Sequence, residues 1–394
     1  LFFQEELIFP SGGASNYRIP SLIVTGNGTV LAFCNDRKNT VRDHAIDTAL
    51  VYAAKPLGKP WSKPMTLMEH EGVCCLIGSA VYDAQTDTAF IFVKRKFARD
   101  EFASFTDEEA RRLEEEDEMR AKEMGLELGN FQFSSADHGE SWELEKVMER
   151  PLSFPAANGE SLRVLMHTHG GAHGVQLRHG KHRGRLLCPS RFFTGRYTNW
   201  AEIRNFVYNN AVYSDDHGKT WTVSQPVQQG TGEGTLIELE NGEILYNSRA
   251  YFGDGKRYLA KSCDGGESFT DLGTDPFLRE ETRIGCNASF LRVEREELGE
   301  ELSQKYLPPE ADSLTVFVNP RSEKRSCMTA CVSFDSGKTW REARCFYEGA
   351  CAYSSLAFSV TDHHFHMIYE KGTEKPYTLG ITAVEFDPEW LLSE

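Results

Sequence analysis

The nonapeptide YSDDHGKTW, residues 213–221, contains one of four variants of a single pattern in the chain. S-x-D-x-G-x-[ST]-[WF] begins at Ser135 (SADHGESW), Ser214 (SDDHGKTW), Ser262 (SCDGGESF) and Ser333 (SFDSGKTW). Each residue type has a local use. The aspartate accepts hydrogen bonds from amides of its own turn, the glycine takes a left-handed conformation, and the closing aromatic packs back on the strands. Short alternating or apolar runs precede every copy, NFQFSS, NNAVYS, RYLAKS and CMTACVS, and such runs ending at turns read as strands. The pattern is therefore a strand-turn-strand clasp, one per supersecondary unit. The motif aspartates Asp137, Asp216, Asp264 and Asp335 stand 79, 48 and 71 residues apart, the scale of four-stranded antiparallel sheets with insertions. This repetition predicts an all-β propeller, and roughly six blades of about 40 to 65 residues fit the length. No linker rich in Pro, Gly or Ser divides the chain, so residues 1–394 are expected to form one domain. One carboxylate per clasp is too few for a calcium loop.

Composition narrows the function classes. The chain is 40% hydrophobic and 11% aromatic with 33 glycines, a globular, turn-rich balance. It has no run of eighteen apolar residues, so no membrane span is expected. A formal charge of −16 excludes nucleic acid as the expected partner, because phosphate binding needs a basic face. Part of that charge is local: residues 107–123 carry nine acids and four bases. The segment reads as a short acidic helical insertion over about 106–124, with Thr106 and Glu109 as a capping box and Gly125 as its stop. Ten cysteines are dispersed, with only Cys74 and Cys75 adjacent. Free thiols in a reducing, cytoplasmic compartment are expected from that pattern, rather than a disulfide framework or zinc site. The opening LFFQEELIF lacks an initiator methionine, which leaves a removed signal peptide and secretion open. The stretch HTHGGAHGVQLRHGKH, residues 167–182, holds five of the twelve histidines. No HExxH or comparable spacing occurs there, so neither metal nor cofactor is expected.

Three further segments, NYRIPSL (16–22), ILYNSRA (244–250) and NPRSEKRSCMT (319–329), complete the reading. Together with the clasps they closely resemble the exo-α-sialidase family, from Tyr17 to about Glu370. Members of that family are six-bladed propellers with an arginine triad at the centre. The resemblance implies Arg18, Arg249 and Arg325 as the triad, with Arg321 the rival for the third place. Guanidinium groups suit the task, since they hold a carboxylate through paired charge-assisted hydrogen bonds that lysine does not reproduce. In DRKNTVRDHAIDTAL, Arg37 is implied to line the pocket and Asp43 to be the acid/base. Asp47 competes, but its place in an apolar strand favours a structural role. Glu233 in GTGEGT and Tyr353 in CAYSSL match the family's base and nucleophile. A neutral phenol avoids the repulsion that a carboxylate nucleophile would meet at an anomeric carbon bearing its own carboxylate, and a tyrosine nucleophile is a known exception to the two-carboxylate rule. Glu370 in IYEKG is implied to orient Arg18, and Asn287 in CNAS to bind sugar hydroxyls.

The resemblance implies a retaining exo-α-sialidase acting on sialylated glycoconjugates, with no cofactor. Two departures qualify the substrate. Ile77 and Gly78 stand where animal cytosolic members have Asn-Pro, and Arg191 and Phe193 replace pocket-wall tyrosines, so Arg191 becomes a candidate substrate contact. A hydrolase for KDN or Kdo, a trans-sialidase and a sialic-acid-binding lectin are the alternatives.

Overall fold

The computed structural model describes residues 1–43, 46–98, 106–148, 153–155, 159, 161–169, 172–195 and 197–393. Strand β1 (Phe3–Pro10) comes first in the chain and last in the architecture. A long sheet follows, from β2 (Tyr17–Val24), β3 (Val30–Arg37), β4 (Thr48–Lys55), β5 (Met65–Met68), β6 (Val73–Asp83), β7 (Thr88–Phe97), β8 (Gly129–Ser135) and β9 (Glu143–Met148). Its antiparallel sets β2–β5 and β6–β9 meet through a parallel bridge between Thr48 and Cys74. Strands β10 (Ser153–Pro155) and β11 (Ser161–Arg163) form a small hairpin.

The next sheet contains β12 (Met166–His169), β13 (Val175–Gln176), β14 (Leu186–Phe193), β15 (Val207–Ser214), β16 (Thr222–Val223) and β17 (Gln228–Gln229). Strands β18 (Thr231–Glu238), β19 (Ile244–Ala250), β20 (Lys256–Ser262) and β21 (Thr270–Arg279) make a four-stranded meander. The last sheet runs β22 (Ser289–Glu294), β23 (Ser313–Pro320), β24 (Ser326–Ser333), β25 (Arg341–Ser359), β26 (His364–Lys371) and β27 (Gly380–Phe386). Strand β25 serves twice, pairing with β24 through its first half and with β26 through its second. β1 then pairs antiparallel with β27, placing Phe3 opposite Phe386.

The apolar cores lie between consecutive strand sets. Val81, Phe90 and Phe92 of β6 and β7 pack on Leu186, Cys188 and Val212 of β14 and β15. Ile237 and Leu245 pack on Phe290, Phe317 and Cys331 of the following set. Leu22, Ala32 and Val51 meet Ile368, Ile381 and Ala383, so the first set also packs on the last.

All four clasps fold alike. In YSDDHGKTW, Ser214 Oγ donates to Asp216 Oδ1 at 2.8 Å and accepts from Gly218 N at 2.9 Å. Asp216 in turn accepts from Thr220 N at 2.8 Å and Thr220 Oγ1 at 2.6 Å. The same bonds recur around Asp137, Asp264 and Asp335. The clasp also does something its local chemistry does not announce: it leans on the preceding strand set. Gly218 has φ +79°, and a Cβ there would sit 2.7 Å from the Phe90 ring of β7. Trp221 packs edge-on to Phe92 and donates Nε1 to Gln132 Oε1 at 2.9 Å. Trp142 packs on Phe33 and Tyr52, and Gly266 abuts Leu187. Burying one such tryptophan contributes roughly 4–6 kcal/mol gross, at about 25 cal/mol per Å².

Helix α1 (Asp107–Glu123) begins with the expected capping box of Thr106 and Glu109 and stops at Gly125, φ +67°. It docks through buried Ala121 and through Arg120, which lies 4.2 Å from the Phe97 ring centre. No helix among the described residues is long and apolar enough to cross a membrane. All ten cysteines are free.

Candidate active site

Bulges aim the site. The β2/β3 ladder breaks between Arg18 and Ser21, the β18/β19 ladder between Gly232 and Thr235, the β24/β25 ladder between Ser326 and Met328, and the β25/β26 ladder between Cys351 and Ser354. Ile19, Glu233 and Cys327 sit in these breaks with φ of +62°, +48° and +59°. Left-handed backbone costs a non-glycine residue on the order of 1–3 kcal/mol. The surrounding ladders offset it, and each break re-aims a side chain out of its strand's regular alternation.

The side chains so aimed share one cavity of about 1410 Å³, lined among others by Arg18, Arg37, Asp43, Arg191, Glu233, Arg249, Arg325 and Tyr353. Tyr353 is its centre. The guanidinium carbons of Arg18, Arg249 and Arg325 lie 5.7, 5.9 and 5.6 Å from the Tyr353 ring centre. The phenol donates to Glu233 Oε2 at 2.6 Å and accepts from Arg249 Nη1 at 2.7 Å. Arg249 Nη1 also bonds Glu233 Oε2 directly, and Arg191 Nη1 reaches Glu233 Oε1 at 3.3 Å. Burial by itself would raise the Glu233 pKa, but Arg249 and Arg191 outweigh it and hold the group at about 2. Burial pushes the Tyr353 phenol well above its ordinary range, with the negative charge of Glu233 adding to the shift against the opposing pull of Arg249 and Arg325. The resting pair is thus a carboxylate accepting from a neutral phenol.

Glu370 fixes two of these groups at once. Its Oε1 accepts from Arg18 Nε at 2.6 Å and from Ile19 N at 2.8 Å, while Oε2 accepts from Tyr353 N at 3.3 Å. Arg249 is held by Nε donating to Ile284 O at 2.9 Å. Arg325 differs from the other two. Among the described residues its hydrogen-bond partner is a carbonyl, Gly285 O at 3.1 Å, and no carboxylate neutralises it. A half-buried cation so placed favours an anionic ligand, since desolvated charge is costly until paired. Arg321, the rival for this position, turns away: it bonds Glu342 at 2.6 Å and lies over Phe277.

Asp43 stands at the mouth with its carboxylate 40% exposed, 2.6 Å from Arg37 Nη2. Arg37 also donates Nη1 to Val41 O at 2.8 Å, tying down the loop. Asp47 is not in a strand. It lies in the turn before β4 with φ +57°, and its Oδ1 accepts from Gly72 N, which is a structural use. Asn287 is a correction. Its side chain is fully buried behind the site, its Oδ1 accepts from Ser354 N at 3.3 Å, and it does not line the cavity.

Arg191, Phe193 and Ile77 all line the wall, as does Ile203. Two tyrosines were not visible to sequence reasoning. Tyr377 stacks on Arg18 at 4.4 Å, and Tyr251 faces Arg249 at 4.7 Å while its hydroxyl meets Arg191. The Arg18–Tyr377 pair joins distant parts of the chain, so no local motif could have marked it, whereas Tyr251 follows Arg249 by two residues in NSRAY. Two of the 167–182 histidines serve packing: His167 Nε2 is 2.7 Å from Ser190 Oγ in the core, and His173 is buried, while His179 pairs with Glu294.

Comparison with known proteins places the chain in a family. The family profile described as a BNR repeat-like domain matches residues 28–367, and the chain belongs to that family. A sialidase of Micromonospora viridifaciens is 29% identical over 96% of this chain, which spans 52% of that relative's length. The Hadza microbial sialidase Hz136 superposes with a TM-score of 0.71 at 19% identity, over 95% of this chain and 66% of the other. The intramolecular trans-sialidase of Ruminococcus gnavus, solved with oseltamivir carboxylate, gives 0.70 at 15% identity and 98% of each chain. Both solved structures speak for the fold.

Proposed function

We propose that the chain is a retaining exo-α-sialidase that releases terminal α-ketosidically linked sialic acid from glycoconjugates. In this reading residues 1–394 form one six-bladed propeller, with blades β2–β5, β6–β9, β12–β17, β18–β21, β22 to the first half of β25, and the second half of β25 through β27 closed by β1. The observation that carries the function is the placement of three guanidinium groups around one phenol that donates to a buried carboxylate.

Arg18, Arg249 and Arg325 seat the substrate carboxylate, and Arg325 gains the anionic partner it lacks. Tyr353 Oη attacks the anomeric carbon while its proton passes to Glu233 Oε2. Because the carboxylate is so acidic and the phenol so weakly acidic, this transfer accompanies bond formation rather than preceding it. Asp43, at the mouth beside Arg37, gives a proton to the departing oxygen. Water then attacks the tyrosyl intermediate with Asp43 as base, Tyr353 recovers its proton from Glu233, and two inversions leave retained configuration. Arg191 and Phe193 shape the opposite wall.

The test is turnover of fluorogenic α-ketosides of Neu5Ac, Neu5Gc, KDN and Kdo by wild type and by Tyr353→Phe. Release of at least one sugar, slowed about a thousandfold or more in the variant, is expected. Binding of sialosides without cleavage by the wild type would make the protein a lectin. Turnover unchanged in Tyr353→Phe would remove the nucleophile assignment.

A further inference from the structure

Clasps join neighbouring strand sets at four places, but the β4–β5 turn carries none, and there Lys55 and Trp61 meet the β26–β27 edge of the last sheet. A different group of side chains occupies that seam. His364 and His366 point to one face of β26, since alternate residues share a face. Glu385 of β27 stands directly opposite His366 in the ladder, and Asp362 lies in the turn before β26. His364 Nδ1 is 2.8 Å from Glu385 Oε1, and its ring is stacked on Phe2 at 4.7 Å. One ligand atom from each of Asp362, His364 and Glu385 lies within 4.8 Å of the others.

The pairing of His364 with Glu385 would by itself be an ordinary ion pair. His366 is what it leaves unexplained. Only 3% exposed, its Nε2 has no hydrogen-bond partner among the described residues and stands 3.6 Å from Asp362 Oδ2, too far for a hydrogen bond. A buried imidazole nitrogen aimed at a carboxylate beyond hydrogen-bond distance calls for another occupant.

We infer that Asp362, His364, His366 and Glu385 form a site for a divalent transition-metal ion of the zinc class, within the last strand set at the edge where Lys55 of the first set meets it. Two imidazoles and two carboxylates are a zinc donor set, whereas calcium takes six to eight oxygens. With bonds of about 2.0–2.1 Å, tetrahedral donors stand about 3.3 Å apart, inside the spread of up to 4.8 Å among Asp362, His364 and Glu385 and close to the 3.6 Å between His366 Nε2 and Asp362 Oδ2. Lys55 Nζ, from the first set, bonds Glu385 Oε2 at 2.9 Å. That leaves Oε1 for the ion and makes Lys55 an orienting partner outside the coordination sphere. Zinc displaces the His364–Glu385 hydrogen bond, so binding releases a proton when His364 carries one. Glu370 of the candidate active site lies four residues farther along β26, about 13 Å away. The ion therefore acts on stability, not on turnover. The expectation of no metal came from the 167–182 stretch; these ligands come from other segments, one of them on a separate strand.

The full chain, stripped with EDTA and dialysed, is titrated with Zn²⁺ and separately with Co²⁺. The expected result is one equivalent bound, melting raised by about 3 °C at a hundredfold excess over Kd, and visible Co²⁺ absorption of tetrahedral character without a thiolate charge-transfer band. Turnover stays as it was. His366→Gln and Glu385→Gln should each abolish the Zn²⁺ shift and the Co²⁺ spectrum, with the metal-free melting of His366→Gln close to wild type. Melting indifferent to Zn²⁺ together with a featureless Co²⁺ titration would overturn the site. So would a Zn²⁺ response that survives in both variants, which would assign binding to exposed thiols such as Cys263 and Cys345.

Discussion

Asp137 in the first clasp and Glu233 in the cavity are both held at about 2, by opposite means. The Ser141 hydroxyl and amide do it for Asp137, neutral donors four residues away at the protein surface. Glu233 is buried against its own charge and brought down by Arg249 and Arg191, which lie 16 and 42 residues away, while Tyr353 is 120 residues away. A carboxylate saturated by its own turn has nothing left to offer a ligand, so the turn can be copied wherever a strand pair needs an end. A carboxylate that shares an oxygen with a movable phenolic proton needs partners from several strand sets. It occurs once because only the closed arrangement assembles it.

Substitutions that separate chemistry from architecture would break or sharpen this contrast. The largest effect should come from Glu233→Gln, which leaves the phenol without a base. A fall in kcat of about 10²–10⁴-fold with melting little changed is expected, and steady-state kinetics beside calorimetry would check it; a loss explained by unfolding would erase the distinction. Arg325→Lys keeps the charge but not the forked geometry, so kcat/KM should fall by about 10–100-fold, measurable with any cleaved sialoside. Asp216→Ala should cost about 1–3 kcal/mol of stability by denaturant titration and leave kcat of the folded fraction intact. Selective loss of turnover with normal melting would mean the clasp takes part in the chemistry. The smallest effect is one of pH. Burial lowers the His173 pKa to about 4, while an unfolded imidazole takes its proton near 6.5. Between those values the unfolded chain binds more protons, so stability should decline as pH falls from about 6.5 to 4. His173→Leu should flatten that slope, and an unchanged slope would place the acid sensitivity elsewhere.

Much of this was legible in the sequence because the clasp is made of short-range chemistry. Ser214, Asp216, Gly218 and Thr220 satisfy one another within seven residues, so the letters carry the turn. The arginines were legible through their flanking segments, but choosing Arg325 over Arg321 needed Glu342 and Phe277, which lie on other strands. Asn287 failed for the complementary reason: a polar residue in the right segment, just before β22, faces inward where the chain is covered on both sides. Tyr377, the bond of Tyr251 to Arg191 and the contact of Gly218 with Phe90 depend wholly on which strand sets become neighbours. The clasp's inward half, its seat on the preceding strands, was hidden for that reason too.

The pairing of β1 with β27 has a consequence for how the molecule comes into being. Phe3 meets Phe386, so this contact spans nearly the whole chain and carries a large loop-closure entropy and a high contact order. Residues made first must wait for those made last, and until they arrive β27 is a bare strand edge able to recruit other chains. The expected signature is a slow final folding phase in which the amides of β1 and β27 gain exchange protection together, after the middle strands. Protection of β27 well ahead of β1 would show that the last sheet does not need the first strand to close.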